Sequence, residues 1–238
     1  MIEQYTIFSI DETRQQNKQA IRSALSLKEI NIDCVNGNDH DALEKAKAKW
    51  GITITSPFKG CELGIWYTTL NAWEYALENG DLLCLEDDAI LTLGSNDLLI
   101  EYLKDSPKNM DFVSLFVPEN QKHDYNYDIS YNNGGVPFWP GQIRGESKFE
   151  FGHSYLSRAY QTYSNVTILY TQHGAKRLIS RVRKTGINQP VDCWLYSNAH
   201  GGYLNGYALK PKYTNVVDYN WTWPTTIHNS DIIDMTDK

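Results

Sequence analysis

The chain has 238 residues, 41% of them hydrophobic and 21% charged, with a formal net charge of −7. That length fits one large domain or two small ones, with ample material for a proper apolar core, and the composition is ordinary for a soluble globular protein. No apolar run reaches membrane-spanning length and "MIEQYTIFSI" lacks the basic-then-apolar layout of a signal peptide, so a cytoplasmic location is expected.

"QYTIFSID" (4–11) reads as a strand, β-branched and aromatic, that ends in polar residues. "ETRQQNKQAIRSALSL" follows as a helix, and "INIDCVNG" (30–37) as a second strand closed by Asn-Gly. "HDALEKAKAKWG" predicts a helix stopped by Gly51. The clearest helix is "CELGIWYTTLNAWEYALENG" (61–80), where Leu63, Trp66, Leu70, Trp73 and Leu77 form one apolar stripe and Gly80 ends it. A strand over 82–91, a helix over 96–105 and the strand "DFVSLFV" (111–117) continue the alternation. From 118 to about 164 the chain turns irregular and rich in Tyr, Asn and Gly, which reads as a binding region. Regular structure returns with "NVTILY" (165–170), a helix over 173–186, the segment "QPVDCWLYSNAH" (189–200) and a last strand near "GYALKP". Strand–helix alternation predicts an α/β fold, a mostly parallel Rossmann-like sheet covered by helices. A single domain over 1–238 is expected, with parts at 1–117, 118–164 and 165–238.

Charge is unevenly spread. Residues 1–143 carry 11 Lys/Arg against 22 Asp/Glu, whereas residues 144–213 carry 10 against 3, balances of −11 and +7. The basic part can attract an anionic partner; equally, Lys176, Arg177, Arg181, Arg183 and Lys184 crowd one predicted helix as a solvated face. Cys34, Cys61, Cys84 and Cys193 are widely separated, without a CxxC pair, and are expected to be reduced, buried thiols. "NVT" at Asn165 and "NWT" at Asn220 match a glycosylation sequon but carry no weight without a secretion signal.

The most informative stretch is "GDLLCLEDDAILTLG" (80–94), in which an apolar run ends in Glu86, Asp87 and Asp88. In parallel sheets, ligands bind at the carboxyl ends of the strands. Adjacent carboxylates there suit Mg²⁺ or Mn²⁺ held through oxygen together with substrate phosphates, the cation relieving their repulsion. The alternative is a solvated acidic turn.

"GCELGIWYTTLNAWEYALENGDLLCLEDDAIL" (60–91) resembles the helix-then-"LEDD" signature of glycosyltransferase family 25, the lipopolysaccharide-type glycosyltransferases. "IFSID" with Arg14, "VNGNDH" (35–40), "ILYTQHGAKRLI" (168–179), "QPVDCWL" (189–195) and "TTIHNSDI" (225–232) resemble further pieces of that family in the same order. The resemblance touches most of the chain except about 92–164. It implies a GT-A-type fold and a metal-dependent, inverting transfer of a sugar from a nucleoside-diphosphate donor, a uridine diphosphate sugar by family expectation, to a hydroxyl. Carried over, Asp88 is the direct ligand of Mn²⁺ (or Mg²⁺), with Glu86 and Asp87 supporting the ribose or a nearby water. His228 is a further ligand or a diphosphate contact, Asp192 of "PVD" the general base, and Ser9 and Arg14 nucleotide contacts. The plain alternative for Asp192 is a helix N-cap. Where family members often carry a Ser-His pair, this chain reads "IWYTTLNAW".

The acceptor stays open between a saccharide, with Tyr125, Tyr127, Phe138 and Trp139 stacking on sugar faces, and nucleic acid carrying a hydroxylated base. Arg144, Lys148, Phe149, Arg158 and Tyr160 would suit the second. A non-catalytic carbohydrate-binding protein with the same fold is the third reading.

Overall fold

The computed structural model describes residues 2–92, 94–104, 106–116, 156–158, 165–209 and 217–219. Its main sheet has seven strands: β1 (Gln4–Phe8), β2 (Lys28–Glu29), β3 (Leu82–Glu86), β5 (Phe112–Ser114), β6 (Leu156–Arg158), β7 (Thr167–Tyr170) and β8 (Gly206–Leu209). They lie in the order β2-β1-β3-β7-β5-β8-β6. A separate two-stranded ladder joins β4 (Ala89–Leu91) to β9 (Val217–Tyr219), antiparallel. The helices are α1 (Gln15–Ala24), α2 (His40–Trp50), α3 (Gly60–Asn79), α4 (Ser95–Leu103), α5 (Gln172–Thr185) and α6 (Val191–His200).

The expected α/β architecture is present, with a mixed sheet. β1, β2, β3, β5 and β8 share one direction, while β7 runs antiparallel to both β3 and β5, and β6 antiparallel to β8. Strand direction was not readable locally, because β7 is buried along its whole length and reads as the same continuous apolar run in either orientation.

Two apolar clusters cover the sheet. One holds Ile21 of α1 with Leu99 and Tyr102 of α4; the other packs α2, α3, α5 and α6 around Trp66, Trp73 and Trp194. The indoles meet edge to face or tilted, with ring centroids 5.6 to 6.2 Å apart, the favourable arrangement for aromatic quadrupoles. The predicted stripe of α3 is fully buried in its middle, at Trp66, Leu70 and Trp73, and fades at its ends, where Leu77 is exposed. The glycine stop read from the sequence at Gly51 is present, and α2 also has an N-terminal cap that was not read. Asp39 caps α2 by accepting from the amides of Asp41 and Ala42, and Gly51 closes it in the left-handed conformation at φ 58°.

Two predicted strands need correction. Residues 30–37 form no strand: after Ile30 donates its amide to the Tyr5 carbonyl, the chain leaves the edge of β1. It runs instead along α3, where Thr68 Oγ1 accepts from the Val35 amide and Asn71 donates to the Asp33 carbonyl. Ile30, Ile32 and Val35 are buried there, so their alternation reflects packing on a helix, not a ladder. The approach is close enough that a Cβ on Gly64 would come within 2.6 Å of the Val35 carbonyl oxygen. The predicted 82–91 strand is also two strands, broken by a turn at Asp87–Asp88, with β4 leaving the main sheet for β9. β6 and β9 fall in stretches read as irregular or unassigned. No helix among the described residues is long and apolar enough to cross a membrane, and all four cysteines are free.

Candidate active site

The site grows from the pairing of β1 with β3. Their parallel register sets Phe8 beside Glu86, so both chains leave the sheet at the same edge, one as Ser9–Asp11 and the other as Asp87–Asp88. Ser9 Oγ donates to Asp87 Oδ2 at 2.6 Å. Asp11 folds the next residues into a 3₁₀ turn, Glu12–Arg14, by accepting from the Thr13 amide at 2.7 Å and its hydroxyl at 2.6 Å. That turn aims Arg14 back at the acids, where Nη1 donates to Asp87 Oδ1 and lies 3.6 Å from Asp88 Oδ2. Arg14, Asp87 and Asp88 are all buried. Burial works against the Arg14 cation, but Asp87, then Asp88 and Asp11, outweigh it and raise its pKa.

Glu86 shares this edge with three carboxylates around it. Burial first, then repulsion by Asp88, Asp192 and Asp87, pushes its carboxyl up to about 8, and Arg14 only partly offsets this. Asp192 thus stands within electrostatic reach of Glu86 although 106 positions separate them in the chain. It is the second residue of α6, after the N-cap Pro190, so the N-cap alternative does not hold. Its Oδ1 accepts from the Cys193 amide at 2.7 Å, and burial raises its pKa. Burial and the neighbouring Asp192 push the Cys193 thiol up to about 12.

A cavity of about 180 Å³ opens beside the acids. Ser9, Arg14, Glu86, Asp87 and Asp88 line one wall; the Cys34–Asn38 segment and the first turns of α3, at Cys61, Gly64, Ile65 and Thr68, form the others. Of the seven residues marked by the family resemblance, the structure gathers five (Ser9, Arg14, Glu86, Asp87 and Asp88) around one cavity, while Asp192 is outside its lining and within electrostatic reach of Glu86. His228 lies outside the described residues, as do Tyr125, Tyr127, Phe138, Trp139, Arg144, Lys148, Phe149 and Tyr160. Asp11 and Thr68 were missed. The "DET" triplet, an acid two residues before a threonine, is the turn signal that points to Asp11.

A larger groove, about 670 Å³, lies at the opposite ends of the strands, floored by Ile2, Leu103, Met110 and Leu169. It is on the side of the sheet away from the carboxyl ends of β1 and β3, and its Asp81 is committed to the Gln172 amide at the start of α5. The basic helix α5 is only partly a solvated face. Lys176, Arg183 and Lys184 are exposed. Arg177 instead bonds buried Asp111 at 2.8 Å and the Tyr203 carbonyl, and Arg181 bonds Asn198 and stacks on the Tyr203 ring.

Among the described residues, no group of three or more His, Cys, Asp or Glu is arranged to hold a metal ion as it stands. The donor set is nevertheless of the right chemistry: carboxylate oxygens in excess over the guanidinium beside them, which suits a hard divalent cation. No protein-family model matches the chain, and no curated protein matches it.

Proposed function

We propose that the protein is a divalent-cation-dependent, inverting glycosyltransferase of the family 25, GT-A type, moving a sugar from a nucleoside diphosphate to a hydroxyl of a saccharide. One observation carries the reading. Three acidic side chains, Glu86–Asp88, are gathered where two parallel strands end, with Arg14 paired to Asp87 and Asp88, and Asp192 from a distant segment is near enough to raise the Glu86 pKa. Such a cluster costs folding energy, and perturbed carboxyls beside a cavity are what a catalytic site requires.

In this reading Asp88 holds Mn²⁺ or Mg²⁺, with Glu86 beside it. When bound, the cation neutralises charge developing on the diphosphate leaving group. Without the cation, Ser9 and Arg14 hold Asp87 at the rim of the cavity. At about 180 Å³ the cavity is smaller than the roughly 300–1,000 Å³ of whole-ligand pockets, and is sized for the base or ribose of the donor. Asp192 accepts the proton of the acceptor hydroxyl as that oxygen bonds to the anomeric carbon; the bond from that carbon to the diphosphate breaks with its electron pair on the leaving oxygen. The saccharide acceptor follows the resemblance; Arg177 and Arg181 of α5 are committed internally, while its Lys176, Arg183 and Lys184 are exposed.

The test is hydrolysis of a panel of nucleotide sugars with Mn²⁺ or with chelator, for the native protein and Asp88→Ala. Release of one nucleoside diphosphate, falling about hundredfold or more on chelation and in the variant, is the expected result. Absence of both turnover and cation-dependent nucleotide binding would overturn the proposal.

A further inference from the structure

Arg14 is held in place more thoroughly than a residue waiting for substrate needs to be. It is only 8% exposed, its guanidinium bonds Asp87 and approaches Asp88 to 3.6 Å, and the Asp11-capped 3₁₀ turn fixes the backbone that carries it. Ser9 holds the other oxygen of Asp87, so the carboxylate presented to Arg14 has one orientation. A guanidinium in this position does part of what a bound cation does. It offsets repulsion among the acids and carries positive charge against the side chain expected to ligate the metal.

We propose that Arg14 is a built-in stand-in for the divalent cation: it neutralises Asp87 and Asp88 in the cation-free protein, and a cation arriving at Asp88 has to displace it. The inference rests on the metal reading of the acidic turn. Its physical basis is short-range electrostatics. Two cations sharing one carboxylate pair in a poorly solvated cleft repel strongly, so one of them has to leave. The cation alone therefore binds weakly, and an anionic diphosphate, by giving the released guanidinium a second partner, strengthens cation binding. The same exchange makes cation and nucleotide binding mutually dependent, since each removes a cost the other would meet.

The experiment titrates the full-length chain with Mn²⁺ alone, reading free Mn²⁺ by electron paramagnetic resonance, for the native protein, Arg14→Met and Arg14→Lys. Arg14→Met is expected to bind Mn²⁺ about tenfold more tightly than native, and Arg14→Lys, which keeps the charge, to stay close to native. A merely structural Arg14 would give the opposite order, because losing it would disorganise the acids and weaken Mn²⁺ in Arg14→Met. Native binding with Arg14→Met no tighter would overturn this inference and leave the metal reading intact. No Mn²⁺ binding by native or variant would overturn both. Should Arg14→Met not fold, the native chain supplies the answer through the Arg14 Nε–H nuclear resonance. Displacement predicts that it moves as Mg²⁺ binds; a fixed resonance at saturating Mg²⁺ would overturn the proposal.

Discussion

Asp192→Asn is expected to lower kcat for sugar transfer by about 10²–10⁴-fold, the usual contribution of a positioned general base, while donor affinity changes little. Asparagine keeps the size of the side chain and the oxygen that accepts from the Cys193 amide at 2.7 Å, so the first turn of α6 is retained. What is lost is the capacity to take a proton. Burial raises the Asp192 pKa, making the carboxylate a stronger base than a solvated aspartate. The native rate should therefore rise with pH along a limb that lies above the ordinary carboxylate range, and the variant should lack that limb. Transfer rates to an acceptor, set beside the donor dissociation constant, separate the two effects. A variant with native kcat would remove Asp192 from the chemistry.

How much of this was legible depends on the range over which each signal acts. α3 declared itself because its Trp and Leu side chains repeat at helical spacing and Gly80 stops it, all within twenty residues. The acidic run was legible for the same reason, since an apolar strand and three acids are adjacent in the chain, but the turn that breaks the 82–91 strand there was not. The 30–37 segment misled because alternation reports a half-buried extended chain and does not say whether its partner is a strand or a helix. β6 and β9, three residues each, are too short to leave a period, and exist through pairing with β8 and β4. Arg14 could be marked as a candidate, but its bond to Asp87, 73 positions away, is made by strand pairing and could not be read locally. The same holds for the environment of Glu86, which depends on where α6 docks.

That environment makes Glu86→Gln the sharpest stability experiment. The folded protein holds the Glu86 proton up to about pH 8, against an ordinary value of 4.5, because burial and then Asp88, Asp192 and Asp87 disfavour its charge. Between those values the native state binds more protons than the unfolded chain, so stability falls as pH rises. The contribution is fully present below pH 4.5 and lost once pH has passed about 8. At about 1.4 kcal/mol per pKa unit the bound is near 5 kcal/mol; solvent reaching Glu86 through the cavity reduces this to about 2 kcal/mol. Glu86→Gln is neutral throughout, so urea melts should match native near pH 4 and show the variant about 2 kcal/mol more stable at pH 9. Parallel curves for the two proteins across that interval would show that Glu86 ionises like a solvated carboxyl. The same imbalance bears on the cation. A divalent cation at Asp88 would favour the charged form of Glu86, so Mn²⁺ uptake at neutral pH should release more protons from native protein than from Glu86→Gln. Calorimetry in buffers of different ionisation enthalpy reads that release directly.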